Sequence, residues 1–263
     1  MFSDETVICL EGISKRYYLR SQRPGDIKTT VLHLPSFLFP DRNRKAFWAL
    51  DDVSFTVKRG ESLGIVGPNG SGKSTMIATI MGRYKADGGW IRFEGDDLGR
   101  LRIWDRVKKG LNATNQTATY VADLTVRRHL ALGVMIGGFP KSDVERLAGI
   151  VDLEDSLDEL PSALSAVGAK KLEIGKALST KPTFLMLDEC FAGLSFEEGE
   201  EMVEIIRTVV ADRKVTVLIV DHNLGLVEKV AQITTVIDRG TIIAEGPFQE
   251  IVSNPVVVEA YMG

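Results

Sequence analysis

The stretch GPNGSGKST, residues 67–75, decides the fold because it has the complete form GxxxxGK[ST]. It overlaps the end of the apolar run SLGIVG (62–67) and leads into a helical pattern over 73–82. In that context, glycines let the backbone wrap closely, so that N–H groups and a helix N-terminus point at the phosphates of a nucleotide. A chance glycine-rich turn is the alternative, and the complete motif between a strand and a helix disfavours it.

The residue types of this loop predict separate roles. We expect Lys73 to place its charge between the β- and γ-phosphates, Ser74 to offer its hydroxyl to Mg²⁺, and Thr75 to bond the α-phosphate. Backbone N–H groups would supply the other donors. The predicted nucleotide-binding set is therefore Gly67, Pro68, Asn69, Gly70, Ser71, Gly72, Lys73, Ser74 and Thr75.

A second motif, TFLMLDE (183–189), places two acids at the end of an apolar run. We expect Asp188 to hold Mg²⁺, directly or through water, and Glu189 to orient and polarise the attacking water. A helix N-cap is the alternative for such an acidic pair. His222 follows the run VLIVD, at the sheet edge where α/β ligands bind, and would reach the γ-phosphate from there. A structural histidine is the alternative.

Short apolar runs separated by amphipathic stretches predict a mostly parallel sheet that is covered by helices on both faces. The block from about 120 to 180 has helical periodicity and few strand signals, which predicts a helical subdomain inserted into the α/β core. GTIIAEG (240–246) indicates a hairpin. The strand-like runs are VSFTV (53–57), SLGIVG (62–67), TFLMLD (183–188), VTVLIV (215–220) and ITTVID (233–238), and the helical patterns cover 73–82, 197–210 and 223–231.

The composition excludes several classes of protein. The 263 residues are 44% hydrophobic and 26% charged, and the net charge of −4 does not indicate a nucleic-acid binder. Cys9 and Cys190 are far apart and form no CxxC, so neither a disulfide framework nor a zinc site is expected. The N-terminus lacks the pattern of a secretory signal, and no apolar run has the length of about 18 residues that a membrane span needs.

One segment, residues 19–46, does not fit this strand-and-helix pattern. It carries two basic clusters around an apolar centre, and the segment contains three prolines. A solvated surface loop and a docking arm for a membrane or a partner both account for this composition.

With these motifs in this order, the chain resembles the nucleotide-binding subunits of ABC transporters over essentially its whole length. The resemblance implies an α/β P-loop NTPase fold, with an ABC ATPase core, an antiparallel β subdomain and an inserted helical subdomain in a single domain over 1–263. It implies ATP and Mg²⁺ as ligands and transport-coupled ATP hydrolysis. It further implies a membrane-spanning permease, a second ATPase subunit that is either identical or paralogous, and a peripheral position at the cytoplasmic face of the cell membrane.

Two further site residues follow from this resemblance alone. Tyr17 in ISKRYY matches the aromatic that stacks on adenine in the family, although Tyr18 is its neighbour and a core aromatic is the alternative. Gln116 in GLNATNQT matches the glutamine that touches Mg²⁺ and the attacking water. An exposed loop glutamine is the alternative for Gln116.

The stretch ALSAVGAKKLEIGKAL (163–178) is an altered copy of the family's signature sequence. Ser165 matches the serine of LSGGQ, where the resemblance implies a helix start that closes on the γ-phosphate of the opposite subunit. Ala166 and Val167 stand at the two glycine positions, and we expect the Val167 side chain to push on the incoming phosphate. Ser195 replaces the aspartate that usually follows AGL. These departures favour either an unequal pair with a different ATPase subunit or a slow homodimer.

The two ends of the chain resemble different ABC systems. The N-terminal part, with its insertion before FWAL, is similar to ATPases that export capsule, O-antigen or teichoic-acid polysaccharides. The C-terminal part is similar to ATPases of branched-chain amino-acid importers and of lipopolysaccharide extraction. The rarer insertion favours export of a polysaccharide or lipid-linked glycan, with import as the alternative. A weakly hydrolysing, nucleotide-gated regulator is a third possibility, against which the intact Glu189 and His222 argue.

Overall fold

In the computed structural model the described residues are 5–18, 46–117, 119–137, 143–211 and 215–262. The segment 19–46, for which a loop and a docking arm are the alternatives, lies outside them except for its last residue.

Ten strands and nine helices of at least five residues occur among these described residues. The strands are β1 (Thr6–Tyr18), β2 (Ala46–Lys58), β3 (Ser62–Val66), β4 (Gly88–Phe93), β5 (Asp96–Asp97), β6 (Leu111–Ala113), β7 (Phe184–Asp188), β8 (Thr216–Val220), β9 (Ile233–Asp238) and β10 (Thr241–Gly246). The helices are α1 (Lys73–Ile80), α2 (Ile103–Lys108), α3 (Val126–Ile136), α4 (Asp143–Ile150), α5 (Ala166–Leu178), α6 (Phe196–Ala211), α7 (Leu224–Glu228), α8 (Phe248–Ser253) and α9 (Pro255–Met262).

A six-stranded sheet with the order β10-β9-β3-β8-β7-β6 forms the centre of the fold. All of its neighbouring strands run parallel except the β9–β10 hairpin. Every residue of β3, β7 and β8 is buried, which explains their continuous apolar sequences. Because parallel strands end at the same edge, the residues that follow β3, β7 and β8 meet there.

An antiparallel sheet with the order β2-β1-β4-β5 covers one face of the central sheet together with α1. Phe93 of β4 and Phe184 of β7 meet edge to face between the two sheets, with ring centroids 6.2 Å apart. The predicted run 53–57 is the second half of β2 and therefore belongs to this antiparallel sheet. The register of β2 against β1 contains several irregularities, which bend both long strands.

Helices cover the other face of the central sheet, and their apolar residues form one continuous core. Between β6 and β7 the described residues contain α3, α4 and α5, where the sequence predicts a helical block. The packing of α5 on α3 depends on Gly175, because a Cβ there would lie 2.8 Å from Leu130 Cδ2. No helix in the described parts of the chain combines the length and the apolar character that crossing a membrane requires.

Candidate functional site

A cleft of about 270 Å³ lies beside the loop that joins β3 to α1. Site residues that the sequence predicts line this cleft from β1, from this loop and from the end of β7. Two residues of β2, Phe47 and Ala49, also line it, and sequence reasoning missed them. The other residues that line it are Tyr17, Asn69, Gly70, Gly72, Lys73, Ser74, Thr75 and Glu189.

Two glycines allow the 67–75 loop to pack closely against neighbouring backbone. A Cβ on Gly67 would lie 2.0 Å from Ile237 O, and one on Gly72 would lie 2.3 Å from Ala49 O. Gly72 also has φ +111°, a region that side chains disfavour. The loop can therefore take this path only with glycine at both positions.

The loop fits a phosphate group. Lys73 is only 4% exposed, and its Nζ donates to Gly67 O at 2.6 Å and to Pro68 O at 2.9 Å. Burial lowers the pKa of Lys73 below its ordinary value, because the charged form has lost its water. Ser71 Oγ is buried with no hydrogen-bond partner among the described residues. An anion at the start of α1 would give Ser71 Oγ a partner and would be a charged acceptor for Lys73 in place of the loop carbonyls.

Ser74 and Asp188 meet beside the loop, and Ser74 Oγ donates to Asp188 Oδ1 at 3.4 Å. Asp188 is 8% exposed, and its burial, followed by repulsion from Glu189, raises the pKa of this carboxyl to about 6. A divalent cation at this position would favour the ionised form. The hydroxyl and carboxylate oxygens fit Mg²⁺, which prefers hard oxygen ligands.

Gln116 and Glu189 lie together beside the cleft. Gln116 Nε2 donates to Glu189 Oε2 at 2.6 Å, although 73 residues separate the two in sequence. Glu189 has a left-handed backbone, with φ +50°. Its N–H donates to Val220 O at 2.7 Å, and its carbonyl accepts from Lys170 Nζ at 2.7 Å. The backbone of Glu189 is thus held on both sides.

His222 lies at the same sheet edge, but it is not among the residues that line the cleft. Its side chain is 48% exposed, and its backbone N–H donates to Asp221 Oδ1 at 2.8 Å. Asp221 is fully buried and also accepts from the N–H groups of Asn223 and Phe191, each at 3.0 Å. Sequence reasoning missed Asp221, although an acid at the end of the buried run VLIV is the same signal that identified Asp188.

Two aromatic side chains, Tyr17 and Phe47, line the cleft. The ring centroids of Tyr17 and Phe47 are 5.8 Å apart with planes 30° from parallel, and Tyr84 meets Tyr17 edge-on at 5.8 Å. Burial raises the pKa of the Tyr17 phenol, and a hydrogen bond with Thr75 opposes this shift. Tyr18 is 54% exposed and does not line the cleft, so the geometry favours Tyr17 of the two neighbours.

Helix α5 begins where the altered signature predicts a helix start. Ser165 is the N-cap, because the Gly168 N–H donates to Ser165 Oγ at 3.1 Å. Val167 is only 7% exposed and packs in the large helical core. This corrects the expectation that its side chain pushes on an incoming phosphate, because the helical phase turns position 167 inwards. Ser165 and Ala166 are the exposed residues at this helix start, and Ser165 does not line the cleft of its own chain.

The sequence model of the family described as "ABC transporter" matches residues 50–192. This chain belongs to the ABC transporter ATPase family. A second family model, described as "Branched-chain amino acid ATP-binding cassette transporter", matches residues 241–263 of this ABC protein.

Solved structures of ABC cassettes share the fold of the ABC ATPase described above. A nucleotide-free ATP-binding cassette from an ABC transporter is 28% identical and superposes with a TM-score of 0.77, covering 98% of this chain and 99% of that one. The ADP conformation of an ATP-binding cassette is 30% identical with the same TM-score and the same coverage. The predicted fold class, an ABC ATPase core with antiparallel and helical parts, is therefore confirmed.

Curated relatives of this ABC protein include methionine import ATP-binding proteins. The MetN protein of Brucella abortus is 30% identical over 213 residues, which are 79% of this chain and 58% of the relative. MetN 1 of Rhodopseudomonas palustris is 30% identical over 247 residues, which are 88% of this chain and 66% of the relative. The chain thus spans less than two thirds of the length of these relatives. The expected likeness to polysaccharide exporters finds no support in these comparisons.

Replacing Val167 with glycine tests its role in packing. We expect Val167→Gly to lower the free energy of unfolding by about 2–4 kcal/mol, because a buried side chain is lost and glycine weakens a helix. Denaturant unfolding measures this change. The exposed neighbour gives the control, since Ala166→Gly should cost about 1 kcal/mol or less. Equal losses in the two variants would contradict the buried position of Val167.

The raised pKa of Asp188 predicts a pH-dependent stability. Because the folded pKa of about 6 exceeds the ordinary value of 3.8, ionisation of Asp188 destabilises the folded chain as pH rises through this range. We expect Asp188→Asn to stabilise the chain without nucleotide or Mg²⁺ by about 3 kcal/mol at pH 8 and by about half of that at pH 5. Denaturant unfolding in a chelator measures both values, with the exposed Asp96→Asn as control. A destabilised Asp188→Asn chain at pH 8 would refute this account.

Proposed function

We propose that this chain is the ATP-binding and hydrolysing subunit of an ABC importer for amino acids, acting through a separate permease at the cytoplasmic face of the cell membrane. The observation that carries the hydrolytic part is the 2.6 Å hydrogen bond from Gln116 Nε2 to Glu189 Oε2, beside the cleft that holds Lys73 and Ser74. A carboxylate held next to a phosphate cradle has the position of a group that activates water.

Different residues of the cleft would bind the phosphates and the metal ion. Lys73 and the backbone of the 67–72 loop would bind the β- and γ-phosphates, and their charge and dipoles would stabilise the charge that spreads over the transferred group. Ser74, Asp188 and Gln116 would hold Mg²⁺, which neutralises phosphate charge when it is bound.

The remaining residues would act on water and on the base. Glu189 would accept a hydrogen bond from the attacking water, and Gln116 would fix the carboxylate in the orientation that this requires. His222 would contact the γ-phosphate from the loop that Asp221 holds. Tyr17 would stack on adenine, with Phe47 packed against it, which supplies base binding without reading the identity of each ring atom.

Two copies of the chain would form the working unit. The helix start at Ser165 and Ala166 is exposed, has a dipole that favours anions, and would close on the γ-phosphate bound by the other subunit. The buried position of Val167 supports a pair of equivalent subunits, since it removes the expected obstacle at this surface. Bound ATP would drive closure because it contacts both subunits only in the closed state.

The importer part of the proposal rests on the relatives. Proteins named as methionine import ATPases align over most of this chain, and the C-terminal residues match a family named for branched-chain amino acids. Both names describe transport of amino acids, which favours this class of cargo over a polysaccharide, and the methionine proteins are named for import.

Purification of the tagged chain from membranes tests the partners. We expect one permease and no second type of ATPase, with transport of a labelled amino acid into vesicles that contain the complex. An untagged membrane preparation is the control for unspecific binding. Co-purification of a permease whose complex moves a glycan outwards would reject the importer, and recovery of a paralogous ATPase would reject the pair of equivalent subunits.

Replacing the proposed base separates binding from hydrolysis. We expect Glu189→Gln to lower the rate of MgATP hydrolysis by about a hundredfold or more while ATP still binds, because the amide keeps the shape but cannot activate water. Phosphate release and retention of labelled ATP measure the two quantities. The exposed Glu204→Gln on α6 should stay within about twofold of wild type. A wild-type chain that binds ATP without turnover would favour the nucleotide-gated regulator instead.

A further inference from the structure

Helix α5 contacts the backbone of the proposed base. Lys170 Nζ, on the second turn of α5, donates to Glu189 O at 2.7 Å. The Ala192 N–H donates to the same oxygen at 3.2 Å. Glu189 is one of the few described non-glycine residues with positive φ, a conformation that persists only when surrounding contacts hold it.

The same helix also holds the loop that carries Gln116. Glu173, which is 6% exposed, accepts from the Thr119 N–H at 2.9 Å and from Asn115 Nδ2 at 3.5 Å. Lys176 Nζ donates to Thr119 O and to the Glu173 carboxylate. Asn115 and Thr119 flank Gln116, so both sides of its loop are fastened to α5.

Both partners of the Gln116–Glu189 hydrogen bond are therefore attached to one helix. Lys170 and Glu173 are three residues apart, which places them on neighbouring positions of one helix face. A helix is rigid over this length, so a displacement of α5 carries both attachments with it. The exposed cap residue Ser165 lies at the start of the same helix.

The chemistry of the Lys170 contact suits a positioning role. The ammonium group binds a main-chain carbonyl of Glu189 and leaves the carboxylate to Gln116 Nε2. The lysine thus fixes where the backbone of residue 189 lies without forming an ion pair with the base. A carboxylate that acts on water must keep its lone pairs free for that water.

We propose that Lys170 is a positioning residue for Glu189, through which α5 sets the geometry of the Gln116–Glu189 pair in its own subunit. This inference rests on the proposed function, because it assumes that Glu189 acts on water. When the Ser165 end of α5 contacts the nucleotide of the other subunit, a displacement of α5 is passed to the backbone of Glu189 through Lys170. The helix links the two nucleotide sites of the pair.

The test compares Lys170→Met, Lys170→Arg and Lys229→Met in the full chain. Lys170→Met keeps the length of the side chain and removes its donor, so we expect kcat for MgATP to fall by about ten- to a hundredfold with KM and ATP affinity within about twofold. Lys170→Arg keeps a donor and should recover most of kcat. Lys229 pairs with Glu200 on the surface of α6, and Lys229→Met should leave kcat within about twofold.

A double-variant cycle adds a measurement that a purely structural role would not move. Gln116 contacts the carboxylate of Glu189 and Lys170 contacts its main-chain carbonyl, so both variants act on the position of the same base. We therefore expect the losses in kcat of Gln116→Ala and Lys170→Met to combine to less than their product. Thermal unfolding of each variant should stay close to that of wild type. Losses that multiply fully, or a fall in kcat that is matched by a fall in ATP affinity and unfolding temperature, would overturn the proposal.

The outcomes also separate the two proposals. A wild-type chain without MgATP hydrolysis would overturn both of them. A wild-type chain that hydrolyses MgATP, together with a Lys170→Met chain of equal kcat, would overturn the positioning role and leave the proposed function intact.

Discussion

The close approach of the phosphate loop to two backbone carbonyls is the constraint on which the rest of the site depends. Ile237 O and Ala49 O leave no room for a Cβ at Gly67 or Gly72. They belong to different sheets, Ile237 to the parallel one and Ala49 to the antiparallel one. The loop is thus held between both sheets, and this fixes the start of α1 and the place where Lys73 is buried.

The parts of the fold that could be predicted are those that a single segment decides. Strands β3, β7 and β8 are buried on both faces, so their sequences are continuous apolar runs, and the glycine-rich loop carries its own geometry. The contacts of Lys170 with Glu189 and of Phe47 with Tyr17 join distant segments, and no local sequence pattern predicts them. The burial of Val167 does have a local sequence signal, because Ile174 and Leu178 follow it at helical spacing and all three are buried. The expectation that Val167 faces a phosphate overlooks this spacing.

The cargo illustrates a different limit of sequence reasoning. The basic segment 19–46 is unusual in composition, and its rarity led to the expectation of polysaccharide export. Its residues, apart from Ala46, lie outside the described structure. The relatives and the C-terminal family match favour amino-acid import through residues that are unremarkable in composition. The composition of this segment and the similarity to relatives thus favour different cargoes.

Because the buried carboxylate of Asp221 holds the backbone beside it, the side chain at position 222 is not needed for the shape of the loop. The carboxylate accepts from the N–H groups of His222 and Asn223 in the loop after β8 and from the N–H of Phe191 after β7, and none of these contacts uses the side chain of residue 222. The backbone that carries His222 is held by the carboxylate of Asp221 and not by the His222 side chain. During evolution, residue 222 could be exchanged for another side chain while the backbone kept its path. The side chain at position 222, and with it the chemistry of this edge of the sheet, can therefore change while the backbone of the loop keeps its conformation.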